Sequence, residues 1–334
     1  MAKRKKTTSH SSNKVLTTIA WFLAFIAISM SCLVAGYYYG YDEAKKEIIE
    51  KEKLAKQKRL SKLKELEKVS KVSTATSVNK RLKEVLKNQS KNLASAAHEL
   101  DDATVDVALP KIKREIKKYP SKAKLAIIID DVSVKSHVEA IKSINLPLTM
   151  SFLPPSKYRP HSAKLAAKEK FYMVHLPMEA QSFNKEEPFT LKANDSQKII
   201  QKRISDLVTI FPRVRYINNH TGSKFTSNEV AMNKLVSVLN TKKIHFIDSR
   251  TTAQTKAPKV MKNFGLKYVA RDVFLDHHND KPYILSQIKK AIRLAKAHGS
   301  AIAIGHPHKN TLLAINESKK LFKDVELVYV NKLR

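Results

Sequence analysis

A chain of 334 residues with 43% hydrophobic content is long enough for one or two domains with an ordinary core, and its net charge of +33 favours polyanionic surroundings such as acidic cell-wall glycan or anionic headgroups. Its single cysteine, Cys32, excludes a disulfide framework within one chain, so the fold must stand on its core. No aromatic-interleaved basic motif accompanies the charge, which therefore points to no specific nucleic-acid partner.

Residues 1–14 form a basic tail, with Lys3, Arg4, Lys5, Lys6 and Lys14 ahead of an apolar run. From Val15 to Tyr41 no residue is charged, a stretch long enough to cross a hydrocarbon core that needs about 20 apolar residues in helical form. Asp42 and Glu43 follow at once, and Tyr37, Tyr38, Tyr39 and Tyr41 suit the far interface. The run also exceeds the ~7 to 15 residues of a cleaved signal-peptide core. The pattern predicts an uncleaved transmembrane signal anchor over 15–41, placing the N-terminus in the cytoplasm and the rest in the periplasm, tethered to the inner membrane by one helix.

Residues 42–120 read as a charged, helical and partly disordered stalk. Leu54, Leu60, Leu63, Leu66, Val69 and Val72 have helical spacing without a strict heptad, which suits a solvated helix or self-association as a weak coiled coil.

From residue 121 to 334 the pattern changes to short runs rich in Ile, Val and Phe, separated by helical segments, the mark of an α/β domain with a mostly parallel sheet. Strands are predicted at 125–129, 148–153, 171–175, 214–218, 244–248, 267–270, 301–305 and 326–330. The clearest helix spans Ser196 to Phe211, and another begins at a capping-box pattern from Thr226 to Glu229.

Polar groups collect where these strands end: Asp130 and Asp131, then His175, then Asn218, Asn219 and His220, then Asp248, Ser249 and Arg250, then Gly305, His306, Pro307 and His308. A strand-terminal Asp often only caps the next helix, and a lone His is more often structural. Five strands doing this at the end where α/β folds build their sites predicts a functional site. Imidazole and carboxylate suit a catalytic divalent metal, zinc above all, that keeps three protein ligands and one open position. Adjacent carboxylates point to opposite sides of an extended strand, so Asp130 and Asp131 share a site only if the chain turns there. One would then bind metal and the other take a proton from water, with His306 protonating a leaving group.

The runs IIIDD, VHLPME, NNHTGS, FIDSRT, RDVFLD and AIAIGHPH, in this order, resemble the divergent polysaccharide deacetylase family, a branch of the carbohydrate esterases. The resemblance spans roughly residues 124–330 and implies a distorted barrel of about seven β/α units, a divalent metal, usually zinc, and removal of N-acetyl groups from a cell-wall or other polysaccharide. Carried over, it makes Asp130 the catalytic base, Asp131 a metal ligand and His306 the acid, with His175 as the second ligand. Where the wider superfamily has two histidines four apart, VHLPME offers His175 and Glu179. The third ligand is therefore Glu179 or His220 of NNHTGS, and zinc's preference for imidazole favours His220. Arg250 is expected to orient Asp130 or bind substrate, and Asn219, Asp248 and His308 to contact substrate. Asp272 and Asp276 are further candidates left outside the metal shell, and His277 and His278 are expected in solvent. The altered ligand motif leaves a second reading: a glycan-binding or envelope scaffold protein that kept the fold without the activity.

Overall fold

The computed structural model describes Trp21, residues 122–182 and residues 185–333. The expected anchor over 15–41 (Trp21 apart) and the stalk over 42–120 lie outside the described residues. Among the described residues, no helix is long and apolar enough to cross a membrane.

Strand β1 (Lys124–Val132) is followed by α1 (Lys135–Ser143), β2 (Thr149–Phe152), α2 (Ser162–Ala166), β3 (Met173–Met178) and α3 (Gln197–Ile210). The chain continues through β4 (Tyr216–Thr221), α4 (Ser223–Ser227), α5 (Glu229–Thr241), β5 (His245–Ile247), α6 (Ala257–Asn263) and β6 (Val273–Phe274). It closes with α7 (Lys281–His298), β7 (Ser300–Gly305), α8 (Lys309–Glu317) and β8 (Glu326–Leu327). The sheet has eight strands, ordered β5-β4-β3-β2-β1-β7-β6, with β8 beside the start of β1. Every named pairing is parallel, as βαβ connections require. This curled parallel sheet, wrapped by helices, is an α/β fold of barrel type.

Strand periodicity sorts the side chains into two layers. Leu125, Ile127 and Ile129 of β1 and Ala301 and Ala303 of β7 pack outward into the layer shared with the helices. Ala126 and Ile128, Met173, Ile247, and Ile302 and Ile304 point inward and fill the barrel with a small second cluster. The next inward position on β1 is Asp130, on β3 His175, and on β7 His306. The same two-residue period that builds the apolar plug therefore puts ionisable groups on top of it.

Two sequence expectations require correction. The strand predicted at 267–270 is a single bridge between Asp248 and Ala270, and the strand itself comes later, at Val273–Phe274. The reason is a hand-over of hydrogen bonds: Asp248 N–H donates to Val269 O and Arg271 N–H to Asp248 O, each at 3.0 Å, after which Asp272 N–H donates to Ile302 O at 2.8 Å. The segment thus crosses from β5 to β7 and straps the gap between them. Helix α5 is capped by Asn228, whose Oδ1 accepts from Ala231 N–H at 3.0 Å. Thr226 instead bonds Gly222 O at 2.8 Å within the preceding short helix. Ser196 caps α3 as its position suggests, accepting from Ile199 N–H.

Candidate metal centre

Consecutive carboxylates reach one site because β1 turns between them. Asp131 has φ +56°, in the left-handed region, and the register against β2 slips by one residue between Ile129 and Val132. A bulge of this kind re-aims a side chain. Asp130 keeps the inward direction of Ala126 and Ile128, and Asp131, due to face outward, is rotated back beside it. Two further strands at this rim, β4 and β5, end in a similar way: Thr221 follows His220 with φ +50°, and Arg250, just beyond β5, has φ +55°. A β-branched residue there is a conformational outlier. Thr221 is held in it by donating to Met178 O at 2.6 Å and by accepting at its own carbonyl from Asn219 Nδ2 at 2.7 Å. The following Gly222 has φ +95°, and a Cβ there would lie 2.9 Å from Met178 Cβ.

Asp131, His175 and His220 are all buried, and each offers a ligand atom within 4.8 Å of the others. His220 Nδ1 lies 3.2 Å from Asp131 Oδ1, and His175 Nε2 lies 3.6 Å from both Asp131 Oδ1 and Asp130 Oδ2. The set passes a direct test for a cation. Among the described residues, the buried His220 Nδ1 has no hydrogen-bond partner. Burial and the neighbouring His220 hold His175 well below its ordinary pKa, so it is neutral. Two imidazoles and one carboxylate leave a fourth position open, the usual arrangement of a catalytic zinc site.

Asn218 organises this group. Its Nδ2 donates to both oxygens of Asp130, at 2.9 and 2.8 Å, and lies 3.0 Å from Ser249 Oγ. Its Oδ1 accepts from Ser151 Oγ at 2.6 Å and lies 3.1 Å from His175 Nδ1. Because Asn218 Oδ1 can only accept, His175 must carry its proton on Nδ1, which leaves the Nε2 lone pair facing Asp131. Burial, opposed by His306 and the Asn218 hydrogen bond, raises Asp130 to about 7.

His306, at the end of β7, has the opposite character. Burial works against its charge, but Asp276, then Asp131 and Asp130, outweigh burial and raise it to about 9. Asp276 Oδ1 sits 3.0 Å from His306 Nδ1, and its Oδ2 accepts from His306 N–H and Thr311 Oγ1 at 2.7 and 2.6 Å. His308 stands beside this pair, with a ligand atom within 4.8 Å of theirs. Asp130, His175 and His306 line one narrow cleft, together with Arg271 and Phe274.

The remaining sequence candidates divide. Glu179 is committed elsewhere, its Oε1 to Lys224 at 3.0 Å and its Oε2 to Ala193 N–H at 2.8 Å, whereas His220 stands with Asp131 and His175. Asn219 lines the cleft and also fixes its wall, accepting from Ser249 N–H at 2.8 Å. Asp248 is saturated by Arg250 N–H, Thr255 Oγ1 and Tyr268 OH at 2.8, 2.8 and 2.9 Å, a scaffold role that replaces the expected substrate contact. The guanidinium in the cleft wall is that of Arg271, not Arg250. Arg271 bonds Ser249 O and Arg250 O at 2.7 and 2.9 Å and stacks 5.0 Å from the Phe274 ring, whereas Arg250 bonds Arg271 O. Arg271 and Asn218 were legible in principle: Asn218 stands two residues before His220 on the same strand face, and Arg271 opens the RDVFLD run.

A model of the divergent polysaccharide deacetylase family matches residues 127–334. The chain belongs to that family. Another sequence like this divergent deacetylase domain is the uncharacterized protein YibQ of Escherichia coli, 35% identical over 216 residues, which are 63% of this chain and 67% of that one. An uncharacterized protein of Haemophilus influenzae is 32% identical over 216 residues, 64% of this chain and 77% of its own. The crystal structure of the uncharacterized protein ATU2773 from Agrobacterium tumefaciens shares this fold, with a TM-score of 0.57 at 20% identity over 66% of this chain and 92% of that one.

Proposed function

We propose that this protein is a membrane-anchored, periplasmic, metal-dependent deacetylase that hydrolyses the acetamide C–N bond of N-acetylated polysaccharide or peptidoglycan-type sugar. One observation carries the reading: a buried His–His–Asp set adjoins, through His175, a cleft that also holds a carboxylate poised near neutrality and an imidazolium held by Asp276. Family membership supports the substrate class, and the uncharged run at 15–41 supports the anchor.

Asp131, His175 and His220 would hold the divalent cation, with zinc favoured by the donor set. When bound, the cation supplies Lewis acidity towards an acyl oxygen and towards water. The chain's own residues do the rest. Asp130, held by Asn218 through both oxygens, accepts the proton of the attacking water. His306, charged at neutral pH and oriented through Nδ1 by Asp276, delivers a proton to the departing amine. Arg271 adds a fixed positive charge to the cleft wall, its pKa lowered by burial to about 10.

The test is metal analysis of the full-length protein together with acetate release from chitin oligosaccharides and from peptidoglycan. The reading expects about one divalent ion per chain and release that disappears in His175→Ala and His220→Ala. Metal-free protein that releases no acetate but still binds the glycan would establish the scaffold alternative instead.

A further inference from the structure

Two large aromatic rings stand in solvent at the rim above β2 and β3. Tyr158 is 82% exposed and Phe189 73% exposed. Topology puts both at the site end of the barrel. Tyr158 lies in the loop that leaves the C-terminal end of β2. Phe189 is two residues from Leu191, which pairs in parallel with Met178, the last residue of β3. The strand that carries His175 therefore leads directly into the segment that carries Phe189.

The two loops are tied together. Arg159, next to Tyr158, forms an ion pair with Glu187, two residues before Phe189, and both of these charged side chains are largely covered, at 10% and 15% exposure. Thr190 Oγ1 donates to Glu187 O at 2.7 Å, which fixes the Phe189 turn. Phe189 itself has φ +61°, and one face of its ring carries the Arg203 guanidinium at 4.9 Å from the centroid, while the residue as a whole stays largely exposed. The rings are thus held out on a clamped support, although exposing them costs apolar hydration.

Their surroundings decide what they receive. A protein partner or a membrane would call for a contiguous apolar patch. Here each ring is exposed and flanked along the chain mainly by polar and charged residues, in Ser156-Lys157-Tyr158-Arg159 and in Lys185-Glu186-Glu187-Pro188-Phe189-Thr190. An isolated flat ring surrounded by hydrogen-bonding groups matches a pyranose, which offers an apolar C–H face and an equatorial girdle of hydroxyls. We propose that Tyr158 and Phe189 are stacking subsites for sugar units flanking the one in the cleft, and that they select polymeric glycan over short sugars. This rests on the deacetylase reading above for the identity of the cleft.

The experiment compares full-length wild type with Tyr158→Ala, Phe189→Ala, the double variant, and the ring-preserving Tyr158→Phe and Phe189→Tyr. Two readouts are taken: retention on insoluble chitin and on peptidoglycan sacculi, and the ratio of kcat/KM for a six-sugar over a two-sugar chitin oligosaccharide. Each Ala change is expected to lower retention and that ratio by about 3- to 10-fold, the range of one aromatic stacking contact. The ring-preserving variants should keep both, and thermal unfolding midpoints serve as the folding control. Ala variants that match wild type on both readouts overturn the subsites while leaving the deacetylase reading intact. Wild type that neither binds nor deacetylates either glycan overturns both. Loss of retention in the ring-preserving variants as well would show that the loops, not the rings, matter, and also overturns the proposal.

Discussion

His175 and Asn218 are locked in one hydrogen-bonding sense: Asn218 gives its amide protons to Asp130, so its Oδ1 must receive the Nδ1 proton of His175 at 3.1 Å. One buried amide thereby sets both the tautomer of His175 and the position of the Asp130 carboxylate.

For that reason Asn218→Ala should damage the site without removing any ligand. We expect metal affinity to fall about 10- to 100-fold, the usual effect of losing a partner behind a metal-binding histidine. The loss of a buried donor to Asp130 should also cost about 1–3 kcal/mol of stability. Competition titration against a chromophoric chelator reads the first effect and denaturant unfolding the second. Unaltered affinity would show that the tautomer is fixed by another group.

Activity should follow a bell-shaped pH profile. Asp130 works as a base only when deprotonated, which its raised value places above about 7, while His306 works as an acid only when protonated, below about 9. Asp276→Asn removes the charge that supports the imidazolium, so the alkaline limb of kcat/KM should move to lower pH, with the acid limb largely in place. A profile with no alkaline limb below pH ~10 would argue against His306 as the proton donor.

The two candidates for the third ligand separate cleanly. Glu179→Gln should leave metal content and acetate release near wild type and cost about 1 kcal/mol or less, since its partners are Lys224 and one backbone N–H at the surface. His220→Gln should lose the ion. Inductively coupled plasma analysis of both proteins decides the matter, and a metal-free Glu179→Gln protein would reverse the assignment.

Backbone strain is stored at the site and elsewhere, and its relief has different consequences. Lys243, exposed in the turn before β5, has φ +55°, and Lys243→Gly should raise stability by about 0.5–1 kcal/mol. Asp131 has the same backbone conformation, so Asp131→Gly should abolish metal binding without lowering the unfolding midpoint of the metal-free protein. Calorimetry with and without added zinc separates the two outcomes.

Much of this architecture was legible along the chain. The short β-branched runs located seven of the eight strands near their observed places, because each strand carries its own period and burial signal. The polar residues after those runs marked the correct rim, since side-chain direction alternates regardless of what the partner strand is. The strand expected at 267–270 failed for the complementary reason: its residues have strand propensity, but their hydrogen bonds are divided between β5 and β7. Glu179 and His220 could not be ranked by spacing, because the choice depends on which side chain an adjacent strand delivers.

The sequence by itself determined the α/β class, the end of the barrel where polar groups gather, and Asp and His as the candidate donor types, with the third donor left between Glu179 and His220, because these depend only on local periodicity and residue identity. Tertiary structure alone decided that Asp131 turns inward through a bulge, that His175 beside Asn218 and His306 beside Asp276 are shifted in opposite directions, and that Arg271 rather than Arg250 faces the cleft. Those outcomes arise from register, left-handed backbone turns and burial between strands distant in the chain, and no single strand specifies them alone.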